Sequence, residues 1–212
     1  MKQVIFIIGI FFYVMYSVTT LAKEHYITFG VTQSNAKLVF PSARATLGNS
    51  INIEGSNPLT LARFSSGIIF NPYFAVEGLI TTGLAEEDII SGPVTDTNGN
   101  TINYTLSMQN TVFVVSYLIA QYPIISNLNI QAKAGYGYVN YYTGFEYQTT
   151  STGHQFIESN DDGSGLAYGL GINYQFNHHG LNIYYDIFPE LKFEDDNKVT
   201  TSGFGIAYVY KF

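Results

Sequence analysis

The sequence contains no cysteine and few charges: nine Lys and Arg and sixteen Asp and Glu, 12% of 212 residues. Without cysteine there is no disulfide framework and no thiolate metal site. A net charge of -7 carried by so few basic residues excludes nucleic acid as a partner, because phosphate binding needs clustered Lys and Arg. Long apolar runs are missing beyond the N-terminal segment, and mean hydropathy is near neutral, so a bundle of membrane helices is excluded as well. The segment Asp96-Thr-Asn-Gly99 lacks the acidic ladder and glycine spacing of a calcium loop. No metal and no cofactor is expected. No linker-like run divides the chain, and one domain is the simpler reading. What the sequence does hold is aromatic: 18 Tyr and 16 Phe, with 20 Gly.

The N-terminus has the order of a secretory signal peptide, with Lys2 ahead of an apolar core from Val4 to Val14 and small residues at Thr20 and Ala22. Cleavage after Ala22 assigns residues 1–22 to the signal peptide and 23–212 to the exported domain. An uncleaved anchor is the alternative, since Val4 to Ala22 is just long enough to span a membrane.

The last twelve residues divide into two sets of opposite chemistry. Phe204, Ile206, Tyr208, Tyr210 and Phe212 share one parity, while Gly203, Gly205, Ala207, Val209 and Lys211 share the other. A strand has side-chain period two, so this is a β-strand with one large aromatic face and one slim face. In a soluble sandwich the large face would be buried. In a membrane barrel it would meet lipid, with the glycines inward.

The rest of the exported chain repeats this division. Strands are predicted from His25, at Leu59 to Phe70, Tyr73 to Leu84, Tyr104 to Tyr122, Leu128 to about Tyr142, Leu166 to Phe176, Leu181 to Phe188, and at the C-terminus. Leu128, Ile130, Ala132, Ala134, Tyr136 and Tyr138 oppose Asn129, Gln131, Lys133, Gly135 and Gly137, and Leu166 to Phe176 alternates in the same way. In the fourth strand, apolar on both parities from Val112, continuity puts the even positions outward. Short turns at Asn71-Pro72, Pro123 to Asn127 and Asn177 to Gly180 alternate with polar stretches at Ser34 to Pro58, Ala85 to Asn103, Thr143 to Ser164 and Glu194 to Lys198, which read as loops. Eight strands of roughly ten residues, with connections alternately short and long, predict an all-β, eight-stranded antiparallel up-and-down transmembrane barrel.

Several of these segments resemble the transmembrane barrel of OmpA-type outer-membrane proteins. They are Phe70-Asn-Pro-Tyr-Phe-Ala-Val-Glu-Gly78, the Tyr122-Pro123 turn with Leu128-Asn-Ile-Gln-Ala-Lys-Ala-Gly135, Gly165 to Tyr174, and the terminal Phe212. The final strand also resembles the C-terminal assembly signal of bacterial outer-membrane barrels, which implies the barrel-assembly machinery as a partner. The resemblance implies an outer-membrane location, contact with outer-membrane lipids and lipopolysaccharide, and an interior polar network around an inward Glu, here Glu77. It stops at Phe212, so the peptidoglycan-binding domain of full-length members, and its tethering role, are not carried over.

An eight-stranded barrel is just wide enough to be filled by its own side chains. The inward charged set is Arg63, Glu77, Lys133, Asp186 and Lys211, and charges of both signs there are expected to pair, since an isolated buried charge is costly. The acidic residues gather between strands: Glu86, Glu87, Asp88, Asp161, Asp162, Glu194, Asp195 and Asp196. They make either a solvated, repulsive surface or a contact site, for divalent-cation bridges near lipopolysaccharide phosphates or for a basic host ligand. Four histidines allow an enzyme to be considered, but only His154, with Ser151 and Glu158, falls in an outer connection, and no lipid A deacylase-like His-x-Ser-Asn motif occurs. The expected function is a non-enzymatic barrel supporting envelope integrity, with a narrow gated channel as the alternative and a lipid A-modifying enzyme behind both.

Overall fold

Backbone groups inside a bilayer must all be hydrogen-bonded within the protein, and this chain meets the requirement with one closed antiparallel sheet. The computed structural model describes residues 24–44, 50–85, 87–95, 101–149, 153–192 and 198–212. The strands are β1 (Glu24–Arg44), β2 (Ser50–Asn71), β3 (Phe74–Gly83), β4 (Glu87–Thr95), β5 (Thr101–Ile125), β6 (Leu128–Thr149), β7 (Gly153–Phe176), β8 (His179–Ile187), β9 (Leu191–Lys192) and β10 (Lys198–Lys211). Hydrogen bonding runs β1-β2-β3-β5-β6-β7-β8-β10, and β10 pairs back onto β1 from Tyr26 opposite Lys211 to Val39 opposite Lys198. Eight strands therefore close the barrel. β4 continues the line of β3 along β5, and β9 continues that of β8 along β10.

The short turns carry their own chemistry. Asn71 Oδ1 accepts hydrogen bonds from the backbone N–H of Tyr73 (2.8 Å) and Phe74 (3.0 Å), which reverses the chain after β2. Asn177, between β7 and β8, has φ of 52°, a left-handed conformation that Asn tolerates better than most side chains.

The sheet turns its chemistry inside out along its length. Toward the end with the short turns, the periplasmic end of such barrels, Phe29, Val31, Phe64, Ile80, Leu118, Ile130, Leu170, Ile172, Ile183 and Ile206 stand exposed on the outside, while Thr28, Arg63, Ser65, Glu77, Lys133, Asn173, Asn182 and Asp186 are buried inside. Toward the outer end the buried set becomes Ala36, Leu59, Met108, Phe113, Val139, Tyr141, Phe188, Leu191 and Val199. The outward positions there include Asn35, Lys37, Thr82 and Lys198, all exposed. The medium outside decides this. Lipid leaves the interior as the only place for polar groups, and water returns the wall to ordinary hydrophobic burial.

That inversion corrects the reading of the polar stretches as loops. Ser34 to Pro58 and Thr143 to Ser164 are mostly strand, the outer parts of the β1-β2 and β6-β7 hairpins, and Ala85 to Asn103 contains β4 and the start of β5. A second correction concerns β5. Even positions face outward from Val112 to Tyr122, but a bulge between Gln109 and Val112 reverses parity above it, and Met108 is buried in the apolar interior. One inserted residue moves the whole set to the other face. Residues 1–22, the site of the expected signal peptide, lie outside the described residues, as do Glu86, Asp96, Asn98-Gly99, Ser151, Glu194, Asp195 and Asp196.

Candidate functional site

Parity sends one charged side chain inward from each of β2, β3, β6 and β8, and the four meet near mid-barrel. Arg63 Nη2 donates to Glu77 Oε1 at 2.9 Å, and Lys133 Nζ donates to the same oxygen at 3.1 Å. Arg63 Nη1 donates to Asp186 Oδ2. Tyr26 on β1 donates its hydroxyl to Glu77 Oε2 at 3.0 Å. The Arg63 guanidinium also lies 4.1 Å from the centre of the Tyr184 ring, and Lys133 Nζ lies 5.7 Å from the rings of both Tyr117 and Tyr184. Two cations and two carboxylates balance. None of the four side chains is more than 1% exposed, so each ion's lost hydration is offset by its partners rather than by water.

Room for this cluster comes from glycines in register beside the large inward residues. Gly67 pairs with both Tyr26 and Glu77, and a Cβ there would fall 2.2 Å from the Tyr26 ring. Gly205 stands opposite Tyr184, where a Cβ would come within 2.3 Å of the ring, and Gly135 stands opposite Tyr117, at 2.8 Å. A Cβ on Gly169 would lie 2.2 Å from Asp186 Oδ1. The slim face of the strands is thus covered by neighbouring Tyr and Asp side chains, which with Arg63 and Lys133 fill the bore among the described residues at this level.

On the periplasmic side of the cluster lies a polar cavity of about 20 Å³, bordered by Tyr26, Glu77, Gln121, Gln131, Asn173 and Asn182, large enough for about one water. On the outer side the interior is packed with rings. Phe113 and Phe188 stack at 4.2 Å, Phe113 meets Tyr141 edge-on at 5.7 Å, and the Tyr141 hydroxyl lies 2.6 Å from Thr201 Oγ1. An ionic layer and an aromatic layer therefore lie in series across the bore.

Lys211, expected in the same network, does not reach it. It keeps inward parity, but its ammonium turns to the periplasmic rim and meets Glu24 at 3.3 Å on the adjacent strand. Tyr26, in register opposite Lys211, is the residue that reaches Glu77. Its place was readable from parity with Thr28 and Thr32, though a tyrosine so near a strand end reads more readily as an interface aromatic. Of the C-terminal set, Phe204, Ile206, Tyr208 and Phe212 face outward and exposed, and Tyr210 is half-buried against the rings of His178 and His179.

The acidic residues sit on strands rather than loops wherever they are described. Glu87 and Asp88 belong to β4, and Asp161 and Asp162 to β7, with Asp88 and Asp162 exposed. Glu158 accepts a hydrogen bond from Tyr142, whose hydroxyl pKa is raised chiefly by that bond. His154 pairs in register with Gln148 on the β6-β7 hairpin, while His25, His178 and His179 lie at the opposite, periplasmic end.

Solved structures with the same fold include the outer membrane protein OprG from Pseudomonas aeruginosa, at 13% identity and a TM-score of 0.55, covering 90% of this chain and 97% of that one. The outer membrane protease OmpT from Escherichia coli is similar at 8% identity and a TM-score of 0.53, covering 89% and 96%. The N-terminal β-barrel domain of Pseudomonas aeruginosa OprF is similar at 10% identity and a TM-score of 0.50, covering 89% and 98%. At such identities the likeness is one of fold. No curated protein matches the sequence. The family model for the outer membrane protein beta-barrel domain matches residues 9–212. A closed barrel with a lipid-compatible exterior, a filled bore and that match leave one assignment: the chain belongs to the outer membrane protein beta-barrel domain family and resides in the bacterial outer membrane.

Proposed function

We propose that this protein is a non-enzymatic, closed barrel that supports envelope integrity and presents an acidic, β-walled extension at the cell surface for contact with a host ligand. The observation carrying the proposal is the length of the strands. A membrane crossing needs about 9–11 tilted residues, whereas β5 has 25 and β7 has 24. The excess continues the barrel wall outward, with an apolar interior that stiffens it and exposed Asp88, Glu158 and Asp162 on its surface. A rigid projection suits recognition, because its contact groups are already ordered before a partner arrives. Divalent cations bridging these carboxylates to lipopolysaccharide phosphates would serve the same extension on the membrane side.

The test replaces Asp88, Glu158, Asp161 and Asp162 by Asn or Gln in cells displaying the protein. Cell attachment should fall while the boiled and unboiled protein still differ in gel mobility, as a folded barrel does. Attachment unchanged in the folded variant refutes the adhesion reading.

The polar cavity beneath Glu77 favours a second reading, a narrow channel gated at the ionic layer. Reconstituted protein would then show discrete conductance that Glu77→Ala alters, and a silent bilayer rejects it. Unchanged lipid A mass in a strain lacking the gene excludes lipid A modification.

A further inference from the structure

The β7-β8 turn places two imidazoles at the membrane surface. His178 Nδ1 lies 3.1 Å from the carbonyl oxygen of Lys211. A carbonyl only accepts, so Nδ1 holds the ring proton, and Nε2, on the far side of the ring, is the atom left to take a second one. His179 Nδ1 bonds the Tyr208 hydroxyl, and its ring sits 5.5 Å from that of Tyr210. Both histidines are exposed among the outward aromatics Tyr208, Tyr210 and Phe212, at the depth of lipid headgroups.

The titratable and charged groups packed around this turn are Tyr208, Tyr210 and Lys211 of β10 and Glu24 and His25 of β1. Lys211 meets Glu24 at the periplasmic rim, so that carboxylate is already engaged by an ammonium. Above the turn, an apolar hollow of about 720 Å³ runs from β5 across β6, β7 and β8 to β10 and is bordered by Ala132, Leu170, Ile172, Ile183, Tyr185 and Phe204. Ile183 is four residues above His179, roughly 13 Å along a strand rising about 3.3 Å per residue.

We propose that the His178-His179 turn and this hollow form one site for an anionic phospholipid of the periplasmic leaflet. The phosphate accepts hydrogen bonds from the outward Nε2–H groups of the two imidazolium rings, and an acyl chain lies in the hollow. Charge-assisted N–H···O⁻ bonds supply the headgroup preference. The apolar groove, one headgroup's depth away, selects a lipid over free phosphate.

The test is native mass spectrometry of the folded full chain in detergent, with phosphatidylglycerol and phosphatidylcholine carrying the same acyl chains. Measurements at about pH 6 and about pH 8 bracket the range in which imidazole gains its charge. The wild type should retain phosphatidylglycerol over phosphatidylcholine by about fivefold at the lower pH, and the preference should shrink at the higher. H178Q/H179Q should abolish it at both, and H178K/H179K should keep it at both. Excess inorganic phosphate should not displace the lipid. Equal retention of the two lipids by the wild type, an unchanged preference in folded H178Q/H179Q, or displacement by inorganic phosphate overturns the proposal. Should H178Q/H179Q fail to show the heat-dependent gel shift of a folded barrel, H178K/H179K decides: a preference independent of pH supports the site, and its loss overturns it.

Discussion

The periplasmic part of this barrel and its outer part are one continuous sheet built on opposite rules. Around Glu77 the interior is ionic and directional, and each of the four charged side chains has a named partner of opposite sign. Around Phe113 it is aromatic and aliphatic, held by contact area and shape. The backbone hydrogen bonding is the same in both, so the difference comes from what lies outside the wall. Strand pairing specifies the cylinder, and the surrounding medium specifies which face of it is apolar.

The largest expected effect comes from unbalancing the ionic layer. Glu77→Ala leaves Arg63 and Lys133 facing each other without their shared acceptor, and breaking a buried pair in this way costs about 3–5 kcal/mol. Equilibrium unfolding from lipid vesicles should show it. Substituting Arg63, Glu77, Lys133 and Asp186 together with Met and Leu should recover most of the loss, and a quadruple variant no more stable than Glu77→Ala would mean that the charges do more than fill the bore.

The inversion itself is tested by one substitution made at two heights. Arginine on the lipid face should be costly: Leu118→Arg is expected to cost about 2–4 kcal/mol. Asn35→Arg, also pointing outward but above the membrane, should change stability by no more than about 0.5 kcal/mol, as exposed positions usually do. Equal costs at the two sites would erase the boundary between the two regions.

The smallest of the larger effects should come from the glycine-aromatic fit. Gly205→Ala drives a methyl toward the Tyr184 ring, and overpacking of this kind costs about 1–3 kcal/mol. At Gly92 an added Cβ would meet nothing within 4 Å, so Gly92→Ala should change stability little in the same unfolding measurement.

The barrel was legible because lipid-facing strands carry the alternation in its simplest form, as β7 does from Leu166 to Phe176. Parity likewise put Arg63, Glu77, Lys133 and Asp186 on the inward side. Parity says nothing about reach, however. Whether Lys211 turns toward Glu77 or toward Glu24 depends on register with β1, which one strand does not reveal. The outer hairpins were illegible for a related reason. At the membrane boundary the apolar parity of β1 changes sides, from the outward Phe29 and Val31 to the inward Ala36, while in β5 a bulge offsets the change, so that Met108 keeps the even parity of Leu118 and yet turns inward. Gly205 reads as a slim inward position, but that it lies under Tyr184 of the neighbouring strand is a fact about pairing.

The contact between Arg63 and Asp186 joins residues 123 apart in sequence, on β2 and β8. In the sheet these strands are separated by β1 and β10, the two ends of the chain, whose pairing makes the cylinder whole. An open sheet would hold Arg63 and Asp186 at opposite margins, with Arg63 still paired to Glu77 on the neighbouring strand and Asp186 parted from Arg63. The ion pair therefore records closure: the Arg63–Asp186 contact can be made only by a chain that has finished its circle.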